Sequence, residues 1–128
     1  MIEYPAQADA PHSHLPFSPC TRFGDLIFVS GQASVDSAGA IVTDTFEGEV
    51  RRSIDNLRRV LESAGSGLQY VVQTRNYVRD PADVAAFNRI YPEYFRPPFP
   101  ARTTITNCLP EVLKYEIECV AVMPPALR

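Results

Sequence analysis

The stretch Leu113 to Val122 constrains the fold most. Leu113, Tyr115, Ile117, Cys119 and Ala121 alternate with Lys114, Glu116, Glu118, Val120 and Val122, and a period of two is the mark of a β-strand. The first set suits packing beneath helices. The second is mixed, apolar at one end and acidic at the other. This strand closes a longer unit, Pro98 to Met123. That unit opens with a stiff Pro98-Phe99-Pro100 entry. A short strand carrying Arg102 follows, then a turn at Leu109-Pro110, then the long strand. The reading predicts that Arg102 and Glu116 arrive on neighbouring strands. A guanidinium and a carboxylate so placed make a site for a small anionic substrate that must meet water. Each also has a plain structural reading. Arg102 alone serves equally as an ion-pair partner, and Glu116 with Glu118 as the wet face of a strand.

Upstream, the expected elements run strand, strand, helix, strand, helix. Phe17 to Arg22 and Asp25 to Gly31 read as strands joined at Phe23-Gly24. Leu26-Ile27-Phe28-Val29 is apolar on both alternating faces, which predicts a strand covered on both sides. Gly31 points to a close backbone approach. Asp36 to Gly39 reads as a turn. Asp44 to Ala64 reads as a helix, capped by Asp44 with Glu47. Its buried stripe is Val50, Ile54, Leu57, Leu61 and Ala64, and it stops at Gly65. Its arginines, interleaved with Glu47, Glu49, Asp55 and Glu62, read as a solvated, salt-linked face. Val71 to Arg79 reads as a strand parallel to the one before the helix. Asp80-Pro81 starts a second helix with a stripe of Val84, Phe87, Tyr91 and Phe95, and with Asn88 turned partly inward. Two helices cover one face of such a sheet, so the other face needs a second copy of the chain. The expected architecture is α+β: a mixed β-sheet with two helices packed on one face, in a homo-oligomer with clefts at subunit boundaries.

Composition narrows the function. The 128 residues form one domain, expected over 16–128 behind an irregular N-terminal arm at 1–15. Net charge is −3 and no basic run exists, which argues against nucleic acid and anionic membranes as partners. Cys20, Cys108 and Cys119 are odd in number and lack metal or redox spacing. They read as free thiols in a reducing, cytoplasmic setting, with Cys20 near the pocket rim. The start of the chain has no signal-peptide pattern. His12 and His14 have no visible third ligand for a metal. A Ser-His-Asp set and Gly-rich phosphate loops are missing from the sequence.

Gly24-Asp25-Leu26-Ile27-Phe28-Val29-Ser30-Gly31-Gln32 resembles the signature of the Rid (YjgF-type) family, the reactive-intermediate deaminases. So do Asn56, Leu61 to Gly65, Asn88 with Tyr91, Pro100-Ala101-Arg102, Leu109-Pro110 and Glu116-Ile117-Glu118. The resemblance runs from about Pro16 to Val122. It implies a chorismate-mutase-like fold and a homotrimer with intersubunit active sites. It also implies hydrolysis of enamines and imines, such as 2-aminoacrylate, to 2-keto acids and ammonia without metal or cofactor. Arg102 matches the arginine that grips the substrate carboxylate, and Glu116 the glutamate that positions water. Ser30, Gly31 and Asn88 match pocket residues. Phe17 stands where the best-studied branch carries tyrosine, and Ala33 where proline often follows. The alternative from a different class is a non-catalytic module that binds a small carboxylate or a client protein in the same pocket.

Overall fold

The alternating strand sits inside the sheet, with neighbours on both edges. In the computed structural model, which describes residues 1–127, it is β6 (Tyr115–Val122). Arg128, the last residue of the expected domain, lies outside the described residues. The other strands are β1 (Ile2–Glu3), β2 (Cys20–Phe23), β3 (Leu26–Ala33), β4 (Val71–Val78) and β5 (Ala101–Thr106). They form one mixed sheet of order β1-β2-β3-β6-β4-β5. The β4–β5 pair is parallel, and the pairs joining β1 to β2, β2 to β3, β3 to β6 and β6 to β4 are antiparallel. Helices α1 (Phe46–Ser63) and α2 (Val84–Ile90) pack on one face. The fold is the expected α+β, chorismate-mutase-like one.

Two expectations about pairing fail. Arg102 and Glu116 are not on neighbouring strands, because β4 lies between β5 and β6. Strands β3 and β4 do run in the same direction across α1, but β6 inserts between them and bonds antiparallel to both. The cause is the alternation itself. Tyr115, Ile117, Cys119 and Ala121 are all buried under the helices, and the centre of the sheet is where those helices cover most.

Local chemistry moves several boundaries. Pro19 withholds an N–H from the ladder, so β2 starts at Cys20 rather than Phe17. Helix α1 starts at Phe46, with Thr45 as its cap: Thr45 Oγ1 accepts from the Gly48 N–H at 3.1 Å. Asp44 accepts instead from Arg52 Nη1 and Nη2, both at 3.2 Å. At the other end Gly65, with φ +89°, makes the left-handed turn. Its N–H reaches the Glu62 carbonyl and that of Ser66 reaches Leu61, the Schellman pattern. The second helix is divided by prolines. A 3₁₀ turn (Pro81–Asp83) leads into α2, and a second one at Pro92 (Tyr91–Glu93) follows it. The loop after β5 keeps Leu113 out of the final strand, with the Leu113 N–H bonded to Pro110 O at 3.1 Å.

The core holds the α1 stripe Val50, Ile54, Leu57 and Leu61 against Ile27, Ile117 and Tyr115, all fully buried. Each such side chain contributes about 1.5–3 kcal/mol. Glu49 is buried too. It accepts from Lys114 Nζ at 3.2 Å and from the Lys114 N–H at 3.0 Å, which ties the entry of β6 to α1. The α1 arginines are paired, although Glu49, expected on their solvated face, is buried away from them. Arg51 meets Glu93 at 3.1 Å, and Arg58 and Arg59 meet Asp55. The first fifteen residues are more ordered than an irregular arm: Ile2–Glu3 pair with β2, Ala10 is buried, and the His12 N–H reaches Ser37 O at 3.4 Å. The face of the sheet away from the helices is open in the single chain. Leu26 and Phe28 remain 39% and 44% exposed there. Among the described residues, no helix is long and apolar enough to cross a membrane.

Candidate active site

Two groups of functional side chains emerge, and strand register places them on opposite faces. Thr74 lies beside Arg102 on one flank and beside buried Cys119 on the other. Arg102 therefore points to the helix side. Glu116 alternates with buried Tyr115 and Ile117 and turns to the open side.

Arg102 leaves the edge strand β5 and lies over the end of α2. Its guanidinium carbon is 4.9 Å from the Phe87 ring centroid and 5.1 Å from that of Tyr91. Its Nη2 donates to Asn88 Oδ1 at 2.7 Å. Asn88 is exposed rather than turned inward, and its partner is Arg102. A guanidinium carries five N–H groups, so this bond leaves donors for a carboxylate. Two parallel bonds from a planar fork would fix such a ligand in position as well as charge.

Glu116 borders a cavity of 590 Å³ with Phe17, Ser30, Gly31, Ala33 and Leu113. That volume suits a small-molecule site. Strand β3 shifts register between Val29 and Gln32, and Ser30 and Gly31 of that irregular stretch line the cavity. Gly31 leaves room for the Glu116 carboxylate: a Cβ would sit 3.0 Å from its carboxyl carbon and would crowd it. Ser30 donates from Oγ to Ser18 O at 2.6 Å, and its N–H reaches Pro19 O at 2.9 Å. Ser30 thus holds the 17–19 loop and offers the cavity an acceptor oxygen. Phe17 projects from that loop, 49% exposed. Asn56 donates from Nδ2 to the carbonyls of Ala33 and Val35 at 3.0 and 3.1 Å, which secures the far wall.

The two carboxylates of β6 differ. Glu118 accepts from the Tyr77 hydroxyl and lies 3.9 Å from Arg75 Nη1. That bond holds the Tyr77 phenol up at about 12. Glu118 borders a separate hollow with Phe28 and Gln73. Glu116 has no hydrogen-bond donor or cation within reach among the described residues. Desolvation, and then the charge of Glu118, push its carboxyl above the usual glutamate value. Cys20 is buried behind the cavity, and desolvation raises its thiol pKa. It is a packing residue and not an oxidisable rim group.

The single chain therefore joins Arg102 with Asn88, and Glu116 with Phe17, Ser30 and Gly31, but does not bring the two sets together. The aromatic support under Arg102 was legible only as a buried stripe. Thr74 and Asn76, fully buried below it, had a sequence signal: two polar residues in register with Val78 on an inward face.

The chain matches the family described as Endoribonuclease L-PSP over residues 7–123. It is 40% identical over 110 residues to the mitochondrial protein mmf2 of Schizosaccharomyces pombe, covering 83% of this chain and 86% of that protein. It is 33% identical over 120 residues to the 2-iminobutanoate/2-iminopropanoate deaminase of Homo sapiens, covering 92% of this chain and 88% of that one. Among solved structures, the Rid family protein YyfA of Yersinia pestis superposes with a TM-score of 0.88 at 28% identity, covering 96% and 100% of the two chains. The YjgF gene product of E. coli superposes with a TM-score of 0.81 at 31% identity, covering 95% and 98%. The chain belongs to this YjgF/Rid family.

Proposed function

We propose that the protein hydrolyses reactive imines and enamines of small 2-amino acids to 2-keto acids and ammonia. The sites form where the Arg102 edge of one copy meets the Glu116 cavity of the next. The observation that carries this reading is the unpaired, partly desolvated Glu116 in a cavity beside Gly31. The named activity of the human relative agrees with it.

Arg102 takes the substrate carboxylate with two parallel N–H bonds, while Asn88 holds the guanidinium from the side. An enamine such as 2-aminoacrylate first gains a proton on its terminal carbon and loses one from nitrogen, which makes it the imine. Glu116 accepts a proton from a water in the cavity as the water oxygen bonds to the imine carbon. The C=N π electrons move to nitrogen, which takes up the proton that Glu116 had accepted. The resulting carbinolamine loses ammonia: its hydroxyl proton passes to the nitrogen by way of Glu116, the C–N bond breaks with its electron pair leaving on NH3, and a keto group remains. A carboxylate with a pKa raised toward neutrality is a better base than an ordinary one. Positioning in the cavity supplies further rate. Every step is proton transfer and addition, which the residues present can carry.

The open face accounts for assembly. Leu26 and Phe28, with Phe23 beside them, are apolar and unshielded in one chain. A trimer of 14.3 kDa chains, about 43 kDa, would cover them. Light scattering at micromolar concentration should give that mass, and a monomer would remove the composite site. The three free cysteines fit a cytoplasmic location. A nuclease reading, which the family description raises, is disfavoured by the net charge of −3 and by the pairing of Arg51, Arg52, Arg58 and Arg59 with carboxylates.

A coupled assay tests the activity. An amino-acid oxidase generates imines from a panel of amino acids, and the protein is scored for faster keto-acid release. Acceleration is expected for at least the small aliphatic imines. Pyruvate binding without acceleration of any imine would leave a carboxylate-binding module instead.

A further inference from the structure

We propose that Tyr91 is the positioning residue of the Arg102 anchor, and that a buried chain formed by Thr74, Asn76 and Tyr115 sets where its ring lies. This rests on the carboxylate-binding role given to Arg102 above.

Arg102 is exposed, and an arginine free in solvent loses rotamer entropy when it is fixed. Two rings and one amide define its plane before a ligand arrives. Phe87 and Tyr91 cross at 5.3 Å, nearly edge to face, and both lie under the guanidinium. Phe87 is held by packing alone, fully buried and 5.3 Å from the Tyr115 ring. Tyr91 is held by a hydrogen bond, its hydroxyl 2.7 Å from Thr74 Oγ1. The same Thr74 oxygen accepts from Asn76 Nδ2 at 3.0 Å. Asn76 Oδ1 accepts from the Tyr115 hydroxyl at 2.6 Å. Asn76 Nδ2 also reaches the carbonyl of Thr103, the residue after Arg102, at 3.4 Å. The chain thus holds Arg102 at both ends: the backbone beside its Cα, and the ring below its guanidinium.

Stability alone does not call for such a chain. Replacing both partners of a buried hydrogen bond by apolar groups of the same shape is close to neutral. Val71 and Val78 already fill inward positions of the same strand with apolar side chains. What the hydrogen bonds add is direction. A ring held only by contact can slide, whereas a satisfied network has a preferred angle and distance. At a carboxylate clamp, a shift of about 1 Å costs up to ~10²-fold in rate.

Thr74→Val removes the hydroxyl that pairs with Tyr91 and accepts from Asn76 while keeping shape, Thr74→Ser restores that hydroxyl, and Tyr91→Leu removes the ring. Each is measured for KM and kcat on imines, for pyruvate Kd by calorimetry, and for melting temperature. Thr74→Val should raise KM and the pyruvate Kd together by about 2- to 10-fold, the value of one hydrogen bond, with kcat changed less. Thr74→Ser should recover most of this, and Tyr91→Leu should exceed it. In an Arg102→Lys background the Thr74→Val effect on pyruvate Kd should vanish, because no guanidinium is left to position. A lower melting temperature with unchanged Kd and KM would overturn the proposal. So would a Thr74→Val effect that persists without Arg102. If the parent binds pyruvate but hydrolyses no imine, the deaminase reading fails and the Kd series still decides this one. If the parent does not bind pyruvate, there is no anchor to position and the proposal falls.

Discussion

Arg102 stands on an edge strand against two rings and an amide, whereas Glu116 stands on an inner strand with its carboxylate unpaired. The first is a rigid cation whose supports are all in place before a ligand binds. The second is a partly desolvated base beside a cavity, with its pKa already moved. One suits gripping and the other suits proton transfer. They face opposite sides of one sheet, so no rotamer change within a chain unites them. Under the proposed function the two are half-sites, and a closed ring of copies is the simplest way to complete them.

Three substitutions and one pH dependence would break or sharpen that contrast, taken from the largest effect to the smallest. Glu116→Gln keeps the shape and removes the base. Turnover should fall by about 10² to 10⁴, while pyruvate binding at Arg102 holds or tightens slightly as a nearby negative charge goes. Loss of both would mean that Glu116 belongs to the anchor. Arg102→Lys keeps the charge and loses the fork. KM should rise by about 10- to 100-fold, the value of a charged hydrogen bond, at an unchanged melting temperature. A fully active variant would make the arginine structural. Glu118→Gln should change turnover by less than about tenfold, because Glu118 faces Tyr77 and Arg75. Loss there equal to that of Glu116→Gln would point to a general field effect.

The smallest effect is on stability. Folding raises the Glu116 pKa, so the folded chain favours the protonated form. The associated stability is present below the unfolded glutamate pKa and is lost as pH rises through the folded value. Glu116→Gln should therefore melt slightly higher than the parent at neutral pH, with the gap closing in acid. A variant that melts lower at neutral pH would show that the carboxylate is stabilised by a partner. Activity in the parent should rise with pH through the same window, as Glu116 ionises.

Much of this was legible in the sequence. The alternation through Tyr115–Val122 marks a strand whose two faces differ, whereas the apolar run Leu26–Val29, read as covered on both sides, is buried at Ile27 and Val29 and exposed at Leu26 and Phe28. Phe87, Tyr91 and Phe95 read correctly as a buried stripe. What could not be read was which strand lies next to which. β5 and β6 are consecutive in the chain, yet β4 separates them, because pairing follows long-range packing rather than chain order. The side each functional group takes follows from that register. The Thr45 cap was missed for a smaller reason. Asp44 and Thr45 are both good caps, and Arg52 takes the Asp44 carboxylate.

The composite site is tested most directly by mixing two impaired chains and assaying them at substrate well below KM. Arg102→Lys and Glu116→Gln variants are purified, combined in equal amounts, dissociated and reassembled. If each site takes its arginine from one copy and its glutamate from the next, random reassembly makes about one quarter of the sites intact. The account predicts recovery to about one quarter of parental activity, against the low level of either variant alone. Activity that stays at the average of the two separate variants after reassembly would contradict it, because both groups would then serve the same site from one chain.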